Sequence, residues 1–293
     1  MRKHIYLIVL FLCFCCLFAC TDSQQDTQIL ATTKPVYDFT TLLCENTGLS
    51  VDLLVTENLS CLHDYTLQVS QMRKIETAQL IVLSGAGLEE FLNKPLENAS
   101  GIIDASTGVP LLCGQEAHDH EEDHHHHDND PHIWLSIPNA RIMAKNIANG
   151  LTKMYPEQKD LFYQNLASLN SKLDSLEQYG KEALSRLSSR DLVTFHDGFG
   201  YFAQSWDLTI LHALEEESGS EASAEELKEL ILLVREHHLP AIFVEQNGST
   251  SASRIVANET GVDIFDLTMA MSEDTDYFEA MYHNINTIRE ALG

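Results

Sequence analysis

Leu80-Ile81-Val82-Leu83-Ser84-Gly85-Ala86-Gly87 is the stretch from which the fold can be read. Four consecutive apolar residues leave no polar face for water. Such a strand is buried on both sides, as in a parallel sheet covered by helices. Gly85 and Gly87 then make a turn into a short helix over 88–92. Upstream, residues 28–32 read as a first strand. Pro35 opens a helix to residue 46, which Gly48 ends, and 51–55 is a second strand. A loop over 56–64 leads to a helix over 66–77, with Leu67, Met72, Ile75 and Ala78 on or near one face. Residues 102–103 form another short strand. Strand and helix alternate throughout, which predicts an α/β fold with largely parallel sheets.

The pattern is interrupted once and then restarts. A helix over 139–154 precedes Pro156, which suits the first turn of a long helix. Phe162, Leu166, Leu169, Leu173, Leu176, Leu184 and Leu187 recur mostly at steps of three and four, making one apolar stripe, with Gly180 its weak point. A helix over 156–187 would span about 48 Å at ~1.5 Å per residue. The stripe lasts too few heptads for a coiled coil. Beyond it come strands at 192–195, 209–211, 241–244 and 262–265. An acidic loop covers 217–224, and helices cover 225–237, 250–260 and 277–292. The expected organisation is a first lobe over 28–155, a connecting helix over 156–188 and a second lobe over 189–293.

Residues 117–134 read AHDHEEDHHHHDNDPHIW, with 7 histidines and 6 acids among 18 residues. Imidazole is the commonest protein ligand for zinc-like ions, and carboxylates are hard co-ligands. Residues 121–130 offer no apolar face, so the tract at 117–130 is expected to be a loop. His118, His120, His124, His125, His126 and His127 are candidate auxiliary metal ligands of low affinity. Ordering such a chain costs roughly 1–2 kcal/mol per residue, which a preformed site has already met. At Asp130-Pro131-His132-Ile133-Trp134 ordered structure resumes, which makes His132 a fixed ligand. His120-Glu121-Glu122-Asp123-His124 matches the H-E-x-x-H pattern, but that motif needs a buried helix and these flanks are all charged.

Arg2, Lys3 and the apolar run over 5–18, followed by Leu17-Phe18-Ala19-Cys20, resemble a bacterial lipoprotein signal. Cleavage before Cys20, lipid on its sulfur and a polar tether over 20–27 are expected. Phe18 is bulkier than usual there. Loss of residues 1–19 would leave 16 Lys+Arg against 44 Asp+Glu, a formal charge of −28. That surface repels nucleic acid and anionic lipid and attracts cations. Cys44, Cys61 and Cys113 would remain besides Cys20. Outside the cytoplasm two can pair. Cys61 and Cys113 both flank metal-handling segments, so the expectation joins them and leaves Cys44 buried and free in the first helix.

Ligands of open parallel sheets bind beyond the carboxyl ends of the strands. His63 follows the second strand, His132 closes the histidine tract, His196 follows the strand at 192–195, and Asp266 follows the last strand. Two belong to each half. A metal held by all four would lie in the cleft between halves, and three imidazoles with one carboxylate suit tetrahedral zinc.

Several stretches carry a resemblance. They are Cys61-Leu62-His63-Asp64-Tyr65, Asp130-Pro131-His132-Ile133-Trp134-Leu135-Ser136 and Phe195-His196-Asp197-Gly198-Phe199-Gly200-Tyr201-Phe202. Ile242-Phe243-Val244-Glu245, Phe265-Asp266-Leu267 and Tyr277-Phe278 to Asn284 extend it. With these the chain is similar to the zinc- and manganese-binding solute-binding lipoproteins of bacterial ABC importers, the cluster A-I or zinc-uptake type. The resemblance implies two α/β lobes joined by a rigid helix, ligands at His63, His132, His196 and Asp266, and delivery of metal to a membrane permease. His196 stands where manganese members have a carboxylate, which favours zinc over manganese. The proline-rich run usual before the first histidine is replaced by Asn58-Leu59-Ser60-Cys61-Leu62. The run from Phe265 to Met269 lacks the usual proline and glycine, which makes Asp266 the least secure ligand.

The chain is therefore expected to be a monomeric, extracytoplasmic, lipid-anchored zinc-binding protein serving an ABC permease. It is expected to bind no nucleic acid and to catalyse no reaction. A catalytic zinc needs an open position and a general base, and no G-x-S-x-G or phosphate-loop pattern occurs. A surface adhesin with a structural zinc is the alternative reading. It would hold its partner with the metal site emptied.

Overall fold

The computed structural model describes residues 28–57, 62, 65–112, 129–214, 222–246 and 248–293. These residues build two four-stranded sheets. The first holds β1 (Ile29–Ala31), β2 (Val51–Leu53), β3 (Leu80–Leu83) and β4 (Ile102–Asp104) in the order β2-β1-β3-β4. The second holds β5 (Asp191–Thr194), β6 (Thr209–Ala213), β7 (Ala241–Glu245) and β8 (Asp263–Leu267) in the order β6-β5-β7-β8. One arrangement is used twice, and every pairing is parallel. Ile29 lies between Val51 and Leu80, and all three residues of β1 are fully buried. This is the two-sided burial that the run at Leu80–Leu83 predicts.

The helices are α1 (Lys34–Leu43), α2 (Val69–Thr77), α3 (Ile137–Met154), α4 (Lys159–Ala183), α5 (Gly200–Ser205), α6 (Ala224–Glu236), α7 (Ser251–Thr260) and α8 (Tyr277–Leu292). Helix α2 starts later than residue 66 because Gln71 Oε1 accepts the Gln68 N–H at 2.9 Å, fixing the first turn at Val69. Nothing in the sequence anticipates α5, which is too short to show a stripe. Cys44 lies just past the end of α1, buried and free. Burial pushes its thiol up to about 12, so it is inert as a nucleophile.

The long helix is shorter than its stripe suggests. Pro156–Gln158 forms one 3-10 turn, and the regular helix α4 has 25 residues, about 37 Å at 1.5 Å per residue. It ends where the Leu184 N–H is shared between the carbonyls of Gly180 and Glu182. Phe162, Leu166, Leu169, Leu173 and Leu176 are buried along its stripe, each worth roughly 1.5–3 kcal/mol of transfer free energy. Gly180 has a packing reason. A Cβ there would overlap the Trp206 ring, so the missing side chain makes room for an indole from the second half.

Helix α4 packs against α1, α3 and α8. One continuous apolar core runs from the first sheet through α4 to one face of the second sheet. A smaller core lies on the opposite face, under α6 and α7. Polar ties also join the halves. The Tyr277 hydroxyl donates to Trp134 O at 2.9 Å, and its N–H donates to Asp38 Oδ2 at 2.8 Å. Asp38 is paired with buried Lys34 at 2.6 Å. Among the described residues no helix is long and apolar enough to cross a membrane. The expected leader, tether and lipidation site Cys20 lie outside the described residues, as do Cys61 and Cys113 of the expected disulfide.

Candidate metal centre

Two of the four candidate ligands meet. His132 precedes a single 3-10 turn at Ile133–Leu135, whose three residues are fully buried and anchor it in the first half. His196 stands two residues beyond the end of β5, in the second half. Their rings lie 5.2 Å apart between centroids at an interplanar angle of 84°. Both are buried, with relative exposures of 3% and 7%.

Each imidazole has a carboxylate at Nδ1. Asp130 Oδ1 accepts from His132 Nδ1 at 2.8 Å and from the His132 backbone N–H at 2.9 Å. That bond places the proton on Nδ1 and leaves the Nε2 lone pair for a ligand. Glu245, the last residue of β7, has Oε2 at 3.8 Å from His196 Nδ1, an ion-pair separation longer than a hydrogen bond. Glu245 is 4% exposed, so its field at His196 is weakly screened. On the other edge of the His196 ring, Gly198 keeps a gap open. A Cβ at Gly198 would lie 2.7 Å from His196 Nε2 and 2.5 Å from Met269 Cε. Two imidazoles in a buried, carboxylate-backed setting suit a borderline-soft cation.

The base of the histidine tract is held beside this pair. Asp130 N donates to Leu112 O at 2.9 Å. The Tyr201 hydroxyl, from α5 of the second half, donates to Asp130 O at 3.0 Å and accepts from the Leu112 N–H at 2.9 Å. So Leu112, before the tract, and Asp130, at its end, are clasped next to His132.

Asp266 does not join the imidazoles. Gln246 Nε2 donates to its Oδ2 at 2.6 Å, His283 Nε2 lies 3.3 Å from the same oxygen, and the side chain is 53% exposed. The pleat explains this. Val244 pairs with Asp266 and Glu245 with Leu267, so Asp266 points to the face opposite Glu245. Among the described residues no three His, Cys, Asp or Glu side chains converge on one point. His63 lies outside the described residues, as do His118, His120, His124, His125, His126 and His127.

The sequence alone gives no metal-site role to Asp130, Tyr201, Trp134 or Met269, and Glu245 stands out there only within the stretch Ile242-Phe243-Val244-Glu245. Asp130 and Glu245 carried a usable signal. One stands two residues before a candidate ligand histidine, and the other ends a buried strand. Tyr201 and Met269 carried none.

The chain matches, over residues 29–291, the family model described as zinc-uptake complex component A, periplasmic (ZnuA). It is 30% identical over 306 residues to the zinc-binding lipoprotein AdcA of Streptococcus pneumoniae strain R6, covering 98% of this chain and 61% of that protein. It is 32% identical over 240 residues to a putative metal-binding protein of Treponema pallidum strain Nichols, covering 78% and 76%. A crystal structure of a zinc-bound ZnuA lacking residues 138–173 superposes with a TM-score of 0.79 at 27% identity, covering 91% of this chain and 98% of that one. The chain thus spans about three fifths of the length of its AdcA relative, and most of the other two. With a match over almost its full length and two parallel-sheet lobes of the same fold, the chain belongs to the family of the periplasmic component A of zinc-uptake complexes.

Proposed function

We propose that this protein captures Zn2+ outside the cytoplasm and delivers it to an ABC-type permease, and that it is not an enzyme. The observation that carries the reading is the His132–His196 pair, one imidazole from each half, buried and backed at Nδ1 by Asp130 and Glu245. His63 is proposed as the third ligand. Asp266 is left out of the set, because Gln246 and His283 hold its carboxylate apart from the pair. A nitrogen-dominated site favours zinc over manganese, which prefers oxygen donors. The names of the AdcA and ZnuA relatives support the same ion. We also propose that lipid on Cys20 tethers the chain to the cell membrane, that it works as a monomer, and that the lobe boundaries near residues 155 and 189 flank the connecting helix.

The histidines at 118–127 are proposed as auxiliary sites of lower affinity that concentrate zinc beside His132. The Leu112–Asp130 clasp supports this, since it holds Leu112 and Asp130, on either side of those histidines in sequence, next to His132. Ligands must be deprotonated, so this weak binding should fade as pH falls through about 6.5. Competitive titration with zinc and manganese tests the whole reading. One tight zinc site is expected, weaker sites that vanish on deletion of residues 118–127, and a tight site that survives the deletion. Loss of the tight site with the weak ones would mean that the tract is part of the primary site.

A further inference from the structure

Past the end of β8 the chain continues as a buried, irregular segment in which Thr268, Met269, Ala270 and Met271 are each under 9% exposed. Buried backbone outside helices and strands must have its polar groups satisfied individually. Four of them here have a named partner. Asn284 accepts from the Thr268 N–H and donates to Thr268 O, both at 2.8 Å. Thr268 Oγ1 accepts from the Ala270 N–H at 3.1 Å. Trp134 Nε1, two residues beyond His132, donates to Met269 O at 2.7 Å. Ala270 is held at φ 58°, a left-handed conformation that a non-glycine residue adopts only under constraint. The segment is thus fixed in one geometry, and what it presents is Met269. The terminal methyl of Met269 lies against Gly198, in the same small gap as His196 Nε2.

We propose that Met269 is a specificity-determining residue of the metal site, a wall that closes one side of it to oxygen ligands. This rests on the reading that His132 and His196 hold the ion. Manganese is served by carboxylate, carbonyl and water oxygens, whereas imidazole suits zinc. A pinned methyl at the metal-facing edge of His196 offers no oxygen and leaves little room for water. Zinc, content with four ligands, tolerates such a wall better than an ion that needs more oxygens. The methyl is the Met269 atom nearest the gap, and in this role Met269 acts by exclusion and not as a ligand.

The test is zinc and manganese affinity of the full chain by chelator competition, for the unaltered protein and for Met269→Leu, Met269→Glu and Met269→Gln. The zinc-to-manganese affinity ratio is expected to hold in Met269→Leu. In Met269→Glu it should fall by about tenfold or more, through gained manganese affinity, the size of change that groups around a metal produce. Met269→Gln, neutral and also an oxygen donor, should move the ratio in the same direction, and it decides the matter if thermal melts show that Met269→Glu does not fold. An unchanged ratio in folded Glu and Gln variants that still bind zinc tightly would overturn the proposal. So would a fall in Met269→Leu as large as in Met269→Glu. Absence of tight zinc binding by the unaltered protein would instead overturn the metal reading beneath it.

Discussion

β1 and β3 of the first sheet run into Thr32 and Ser84, and β5 and β7 of the second sheet run to His196 and Glu245. The strand order is the same in both halves, and a buried glutamate sits at these ends each time. Glu89, beyond β3, is enclosed by its own half. Its carboxylate accepts from Thr32 Oγ1 at 2.6 Å, from the Ser84 N–H at 2.7 Å and from the Gly85 N–H at 3.0 Å. Burial pushes it up to about 7 against those bonds. Glu245 is turned instead toward an imidazole that faces the other half. Topology brings strand ends together in both sheets. The groups standing there decide whether the end is a plug or part of the proposed metal site.

That contrast can be broken most sharply at the imidazoles. His132→Ala or His196→Ala should weaken zinc binding by more than about 100-fold, beyond the 10–100-fold typical of groups behind the ligands. Chelator competition measures it, and unchanged affinity in both variants would rule the site out. The groups behind them come next. Asp130→Ala and Glu245→Gln should each weaken zinc by roughly 10–100-fold, while Glu89→Gln, altered at the matching place in the first sheet, should leave zinc affinity unchanged. A zinc effect of Glu89→Gln equal to that of Glu245→Gln would erase the distinction between plug and site.

Two smaller effects concern stability. Gly180→Ala would force an overlap with Trp206 where the second half packs on α4, and overpacking of this kind costs typically about 1–3 kcal/mol. Thermal melts of the metal-free protein should show the loss. Glu89 should leave a pH signature. Its pKa is raised from 4.5 unfolded to about 7 folded, so the fold binds its proton more tightly. The resulting stability is fully present below about 4.5 and is lost as pH rises through about 7. The unaltered protein should therefore lose stability relative to Glu89→Gln across that window, and a flat difference in Tm would contradict the enclosed, protonatable plug.

Much of this architecture was legible in the sequence, because short apolar strands bounded by turn residues announce a buried parallel sheet. All eight strands stand where their apolar runs place them, within a few residues. His132 and His196 stand out as candidates because each lies where a buried element meets a turn, and the fold brings their rings together. Asp266 looked equivalent by position, yet a one-residue offset in a strand reverses the face, and register is invisible until β7 and β8 are seen paired. The ends of α4 were misjudged because an apolar stripe continues through residues that cap a helix as readily as through residues inside it. Met269 left no trace, since an apolar residue in a loop reads the same whether it lines a site or fills a core.

The most direct test of the central claim is the X-ray absorption spectrum of zinc in the protein lacking residues 118–127, loaded with one equivalent. A shell of imidazole nitrogens at about 2.0–2.1 Å is expected, attenuated in His132→Ala and in His196→Ala, with no sulfur at about 2.3 Å. A sulfur shell, or a shell of oxygens unchanged by either substitution, would contradict it.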